Sequence, residues 1–183
     1  MGADRSEQVN FHASRVSSLI SVPCWYAIRT RSRHEKRVRA QLASRDIEVF
    51  LPLIGRWSQW KDRKVHVQFP LFPGYCFARF PWKERVRVLT ALGVVEVLGT
   101  SGHAVPVPDI EIEAVRRLVT STLPVDPHPA LEPGMTVEVR RGPLEGVRGV
   151  LVRKGRNARF VISVSILRQG ASVQIDADDV VPV

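Results

Sequence analysis

The stretch FPLFPGYCFARF, Phe69 to Phe80, puts five aromatic residues and two prolines into twelve positions. Pro73-Gly74 is turn chemistry, because glycine reaches backbone conformations that other residues avoid and proline fixes its own φ. After that turn Tyr75, Phe77, Ala78 and Phe80 read as a strand, with Tyr75 and Phe77 on one face. Two readings follow from the pattern. The strand belongs wholly to a core, or it packs a core on one side and offers aromatics to a partner on the other.

The rest of the chain bears on that choice. At 183 residues it is long enough for one large domain or two small ones, and 44% hydrophobic residues suffice for a core. The net charge of +9 is unevenly placed. Between Trp25 and Thr120 there are 17 Lys and Arg against 9 Asp and Glu, whereas from Glu132 onward there are 8 against 6. The first folded unit therefore carries the excess, which suits a polyanionic neighbour. Cys24 and Cys76 stand 52 positions apart with no CxxC pair, which points to two reduced thiols and no metal site. No apolar run is long enough for a signal segment or a membrane span, so a cytoplasmic protein is expected. Residues 1–23 read as a polar, disordered lead-in.

Trp25–Arg29 reads as a strand and Arg33–Arg45 as a helix, with Val38 and Leu42 one turn apart and a basic outer face. Val49–Leu53 is a strand that carries a proline and so belongs at an edge. Trp57–Lys61 and Lys64–Phe69 form a hairpin around Asp62-Arg63, with Lys61, Arg63 and Lys64 at its tip. A second helix runs from Trp82 to about Ala91, with Val86, Leu89 and Leu92 inward. Gly93 ends it, and Val94–Leu98 is a strand. A third helix starts with Asp109 as N-cap and turns Ile112, Val115 and Val119 to one side. The first unit, residues 24–120, is thus an α+β domain, an antiparallel sheet with helices packed on it. Prolines at 124, 127, 129 and 133 make residues 121–132 an extended linker. Residues 133–183 hold only short strands with glycine turns, which reads as a small all-β barrel.

In order and spacing, WYAIRTRSRHEKRVRAQL, EVFLPL, FPLFPGYCFARF and GVVEVLG resemble the N-terminal domain of the NusG family of transcription elongation factors. PGMTVEVRRGPLEGVRGVLVRK and FVISVSILRQGASVQID resemble a KOW domain, a small SH3-like barrel. Within the family, RSRHEK, the QWKDRK hairpin and PLFPGY look nearest to specialised antiterminator paralogs of the RfaH and UpxY kind.

The resemblance implies that Phe72, Tyr75, Phe77, Leu98, Ile112 and Val115 form the groove that docks on the clamp helices of the largest subunit of bacterial RNA polymerase. It implies that Arg31, His34 and Arg37 meet the displaced non-template DNA strand, and that Ile166 and Leu167 meet a ribosomal small-subunit protein or Rho. Three places depart from the specialised pattern. Glu84, Arg85 and Val86 replace a His-Thr-Thr cluster, Arg29 replaces a pocket aromatic, and Leu167 stands where NusG has a phenylalanine.

The implied function is a monomeric transcription elongation regulator, an operon-specific antitermination factor. A housekeeping factor coupling polymerase to Rho or the ribosome, and a ribosome-associated RNA-binding protein, are the other readings. No nucleophile–base pair, metal cluster or phosphate-binding glycine loop appears, so neither catalysis nor a cofactor is expected. The glycine-rich, β-branched residues 136–175 favour a barrel with no helical alternative.

Overall fold

The computed structural model describes residues 21–183, apart from 61–62, 101–102, 124, 129–133, 155–156, 165–166, 168 and 176–178. A four-stranded antiparallel sheet organises the first unit. Its strands are β1 (Pro23–Thr30), β2 (Glu48–Phe50), β5 (Tyr75–Pro81) and β6 (Val94–Val97), in the order β2-β5-β1-β6. The Phe69–Phe80 stretch supplies the interior strand β5, paired with β1 from Cys24↔Phe80 to Arg29↔Tyr75. Gly74, at φ 83°, makes the turn into it, a conformation that strains any residue with a Cβ.

Alternation along β1 and β5 gives the sheet two apolar faces. On one, Tyr26, Ile28, Cys76, Ala78 and Phe80 pack with Val38, Leu42, Val88 and Ala91. These last four come from α1 (Glu35–Ala43), α2 (Arg85–Leu89) and the turn after it. Phe80, Tyr26 and Trp82 form an aromatic trio with ring centroids 4.8 to 6.4 Å apart.

On the other face Trp25, Ala27, Phe72 and Phe77 meet Ile112, Val115 and Leu118 of α3 (Asp109–Thr120). That cluster continues without a break into the second unit, through Val137, Val147, Phe160, Ile162, Leu167 and Val173.

The hairpin of β3 (Leu53–Trp60) and β4 (Arg63–Pro70) is a two-stranded sheet of its own. Another short pair is β7 (Gly99–Thr100) with β8 (His103–Ala104). The second unit is a six-stranded antiparallel sheet in the order β14-β10-β11-β12-β13-β9. It comprises β9 (Val125–His128), β10 (Met135–Val139), β11 (Arg148–Lys154), β12 (Asn157–Val164), β13 (Gln169–Gln174) and β14 (Val180–Pro182).

Four expectations need correction. Val86, Leu89 and Leu92 do not point inward: they are 59%, 43% and 50% exposed, while Val88 and Ala91 are buried. The segment is apolar on more than one side, and contact with the Tyr26–Phe80–Trp82 trio selects the arc that is buried. Asp109 is the first helical residue and makes no capping bond; Pro108 occupies the N-cap position. The strand expected over 49–53 stops at Phe50, and β3 starts afresh at Leu53. Part of the proline-rich segment is itself a strand, β9, on β13 at the sheet's edge, where a proline without an N–H is tolerated.

Candidate functional site

The expected groove residues do come together. Phe72 meets Phe77 edge-on with centroids 6.1 Å apart, and Phe50 stacks on Phe77 at the same distance. Tyr75 and Leu98, both half-buried, pack against this cluster. Ile112 and Val115 approach it from α3. Phe72, Phe77, Ile112 and Val115 are all fully buried, however. An aromatic face that the first unit's sheet turns outward is covered here by α3, which has the second unit on its far side.

Helix α3 is the wedge between them. Its Arg116 guanidinium lies 5.0 Å from the centroid of Phe50 and 5.9 Å from that of Trp25, and reaches Glu48 at 3.8 Å. Such cation–ring contacts stabilise by about 0.5–1 kcal/mol where solvent reaches them. On the adjoining side Ile110, Ala114 and Arg117 face Val147 and Ile162 of the second unit across a cleft. Arg117 donates from Nη1 to the Glu145 carbonyl at 2.9 Å.

The three residues expected at the α1 entry have different fates. Arg31 and Arg37 are exposed and make no side-chain hydrogen bond or ion pair among the described residues, so they stay available to phosphates. His34 is half-buried. Its Nδ1 lies 3.0 Å from the Ser32 carbonyl, and its Cβ sits where a Cβ on Gly93 would come within 3.0 Å. It packs the chain end of α1 against the Gly93 turn.

Glu35, which nothing in a run of charges singles out, is the buried carboxylate here. It accepts the Gly74 N–H at 2.7 Å and so ties α1 to the turn that aims Phe72. Its nearness, after burial itself, pushes the Cys76 thiol up to about 12. Burial, with Cys24 second, raises the Tyr26 phenol too.

The departures from the specialised pattern acquire partners. Arg29 pairs with Glu96 on the neighbouring strand at 2.8 Å. Glu84 pairs with Arg87 at 2.6 Å, and Arg85 lies 5.4 Å over Trp82. Beside them Val86, Leu89 and Leu92 leave an apolar patch on α2 that inward assignment from sequence had hidden. Leu167 is buried within the shared core, and Ile166 lies outside the described residues. Among the described residues there is no cluster of His, Cys, Asp or Glu able to hold a metal, and no helix long and apolar enough to cross a membrane.

Comparison with known proteins decides the class. Residues 23–116, just over half of the chain, match the family described as transcription termination factor nusG. The chain belongs to the NusG family. Members of that family are transcription factors without enzymatic activity. Among solved structures, one of Thermotoga maritima NusG concerned with domain interaction in that protein is similar at a TM-score of 0.54 and 22% identity. That likeness covers 88% of this chain and 97% of the other, and it supports the fold. The Spt5-containing MjSpt4:Spt5 complex aligns over 87% of this chain at 17% identity with a TM-score of 0.29. No curated protein sequence matches.

Proposed function

We propose that this NusG-family protein is an operon-specific elongation regulator. In this reading it docks on the clamp helices of bacterial RNA polymerase through the Phe72–Tyr75–Phe77 face and suppresses pausing or termination. The observation that carries the reading is the aromatic face itself. It is assembled by the first unit's own sheet and covered by α3, whose far side packs against the second unit. Release of the second unit frees that helix to shift and open the face to another partner. Burying two or three aromatic anchors, each worth roughly 1.5–3 kcal/mol, approaches the ~8 kcal/mol of a micromolar complex.

The six-stranded second unit is, on this proposal, a KOW domain. With Leu167 buried, its contact with Rho or a ribosomal small-subunit protein requires the same separation. The exposed Arg31 and Arg37 contact the backbone of the non-template strand, with His34 shaping the α1 entry. The protein acts as a monomer in the cytoplasm.

The test is retention on immobilised RNA polymerase. Tyr75 and Leu98 are half-buried, so their replacement spares the fold better than that of Phe72. Tyr75→Ala together with Leu98→Ala should weaken retention at least tenfold. Wild-type retention by that variant removes the groove assignment. Transcription of a long template with a terminator gives the direction: longer transcripts support antitermination, and shorter ones reverse it.

A further inference from the structure

We propose that the β3–β4 hairpin carries a stacking site for an unpaired base of single-stranded DNA, centred on Trp57. Trp57 is 73% exposed, the most exposed large hydrophobic side chain among the described residues. Strand pairing puts Trp57 opposite His66, Gln59 opposite Lys64 and Gly55 opposite Gln68, so these six share one face of the hairpin. The other face holds the half-buried Val65 and Val67, so the exposed ring lies on the hairpin's polar side.

The ring is also held in place. Its centroid is 5.3 Å from that of His66, edge to face at 63°. The imidazole fits there because residue 55 is glycine: a Cβ at Gly55 would stand 2.3 Å from His66 Nε2. The pair therefore forms a fixed aromatic step with one broad side of the indole open. Next to it lies a cleft lined by Trp57, Ser58, Gln59 and Lys64.

Charge selects the occupant. The hairpin from Leu53 to Pro70 contains Arg56, Lys61, Arg63 and Lys64 against a single Asp62. At its base the same face runs into a larger cleft edged by Gln68, Lys36 and Arg33, where Lys36 Nζ donates to the Gln68 carbonyl at 3.1 Å. Lys64 shares the ring's face while Arg56 and Arg63 lie on the hairpin's other side, so a base stacked on Trp57 has a cation beside it for its phosphate, and every base has a face to stack. The site rests on the reading of the chain as a transcription regulator that meets unpaired DNA, and it lies apart from Arg31 and Arg37.

The full-length protein is titrated into a fluorescein-labelled single-stranded DNA of twelve mixed-sequence nucleotides, followed by anisotropy, beside the matching RNA and duplex. Trp57→Ala should weaken single-strand binding roughly tenfold, and Trp57→Phe should keep most of it, because the ring remains. Duplex affinity should be unchanged in both variants. Full single-strand binding by Trp57→Ala overturns the proposal, as does an RNA preference that depends on Trp57. Polymerase retention is measured on the same variants. Loss of retention by Trp57→Ala with DNA binding intact identifies the ring as a protein contact and also overturns it. A groove variant that keeps polymerase while Trp57→Ala loses DNA defeats the docking reading and leaves the stacking site standing.

Discussion

The two faces of the first unit's sheet are buried by different means. The face of Tyr26, Cys76 and Phe80 is closed by α1 and α2, elements of the same domain. The face of Trp25, Phe72 and Phe77 is closed by α3, which is itself held on its far side by strands of the second unit. The first arrangement makes burial a property of the domain. The second makes it a property of how two units meet, which is a smaller commitment because interfaces between units separate more readily than cores. Stability should follow the first face, and function the second.

The sharpest way to break this contrast is Phe80→Ala. It removes a fully buried ring from the aromatic trio and should cost about 3–5 kcal/mol in urea unfolding. A cost under 1 kcal/mol would mean the closed face does not hold the domain.

Ala114→Glu acts on the other face, placing a carboxylate opposite Val147 and Ile162. Leaving it buried without a partner costs more than about 2 kcal/mol, so the units should separate instead. Small-angle scattering should then show a larger radius of gyration while the far-ultraviolet circular dichroism stays the same. An unchanged radius would show the two units to be one inseparable core.

Cys76 tests the closed face by titration. Its thiol is held protonated in the fold up to about 12, above its unperturbed 9.0. Between those values the unfolded chain has lost the proton and the folded chain retains it, so stability is fully present below pH 9 and declines as pH rises toward 12. Replacing Cys76 with Ala should flatten that part of the profile, and Cys24 should react with a thiol reagent well before Cys76.

A smaller effect concerns Thr30, whose buried hydroxyl has no hydrogen-bond partner among the described residues. Thr30→Val keeps the β-branched shape and should stabilise by about 1 kcal/mol, because an unpaired buried hydroxyl is lost. Smallest of all, Val86→Ser on the exposed patch should change stability by less than about 0.5 kcal/mol. A larger loss would return Val86 to the core.

The sequence itself was informative where a pattern has one physical solution. The alternation in Tyr75–Phe80 has a period of two, and it put Tyr75 and Phe77 on one face, in the cluster where both are found. The hairpin, the Gly74 turn and the all-β second unit are local in the same sense. In α2, by contrast, the apolar residues of VRVLTAL lie on more than one side of the helix, and periodicity could not rank Val86 and Leu89 against Val88 and Ala91. Glu35 was equally hidden. A carboxylate among arginines reads as solvated until the Gly74 N–H is found 2.7 Å away, from a turn 39 positions later.

What the chain determined alone, then, is which residues are aromatic, where the strands turn, and that Phe72, Tyr75 and Phe77 form one surface. What covers that surface was decided only by tertiary structure. Hydrophobic burial has no direction and does not specify its partner, so the same face is satisfied by α3 or by another apolar surface. The choice depends on which one the chain brings within reach.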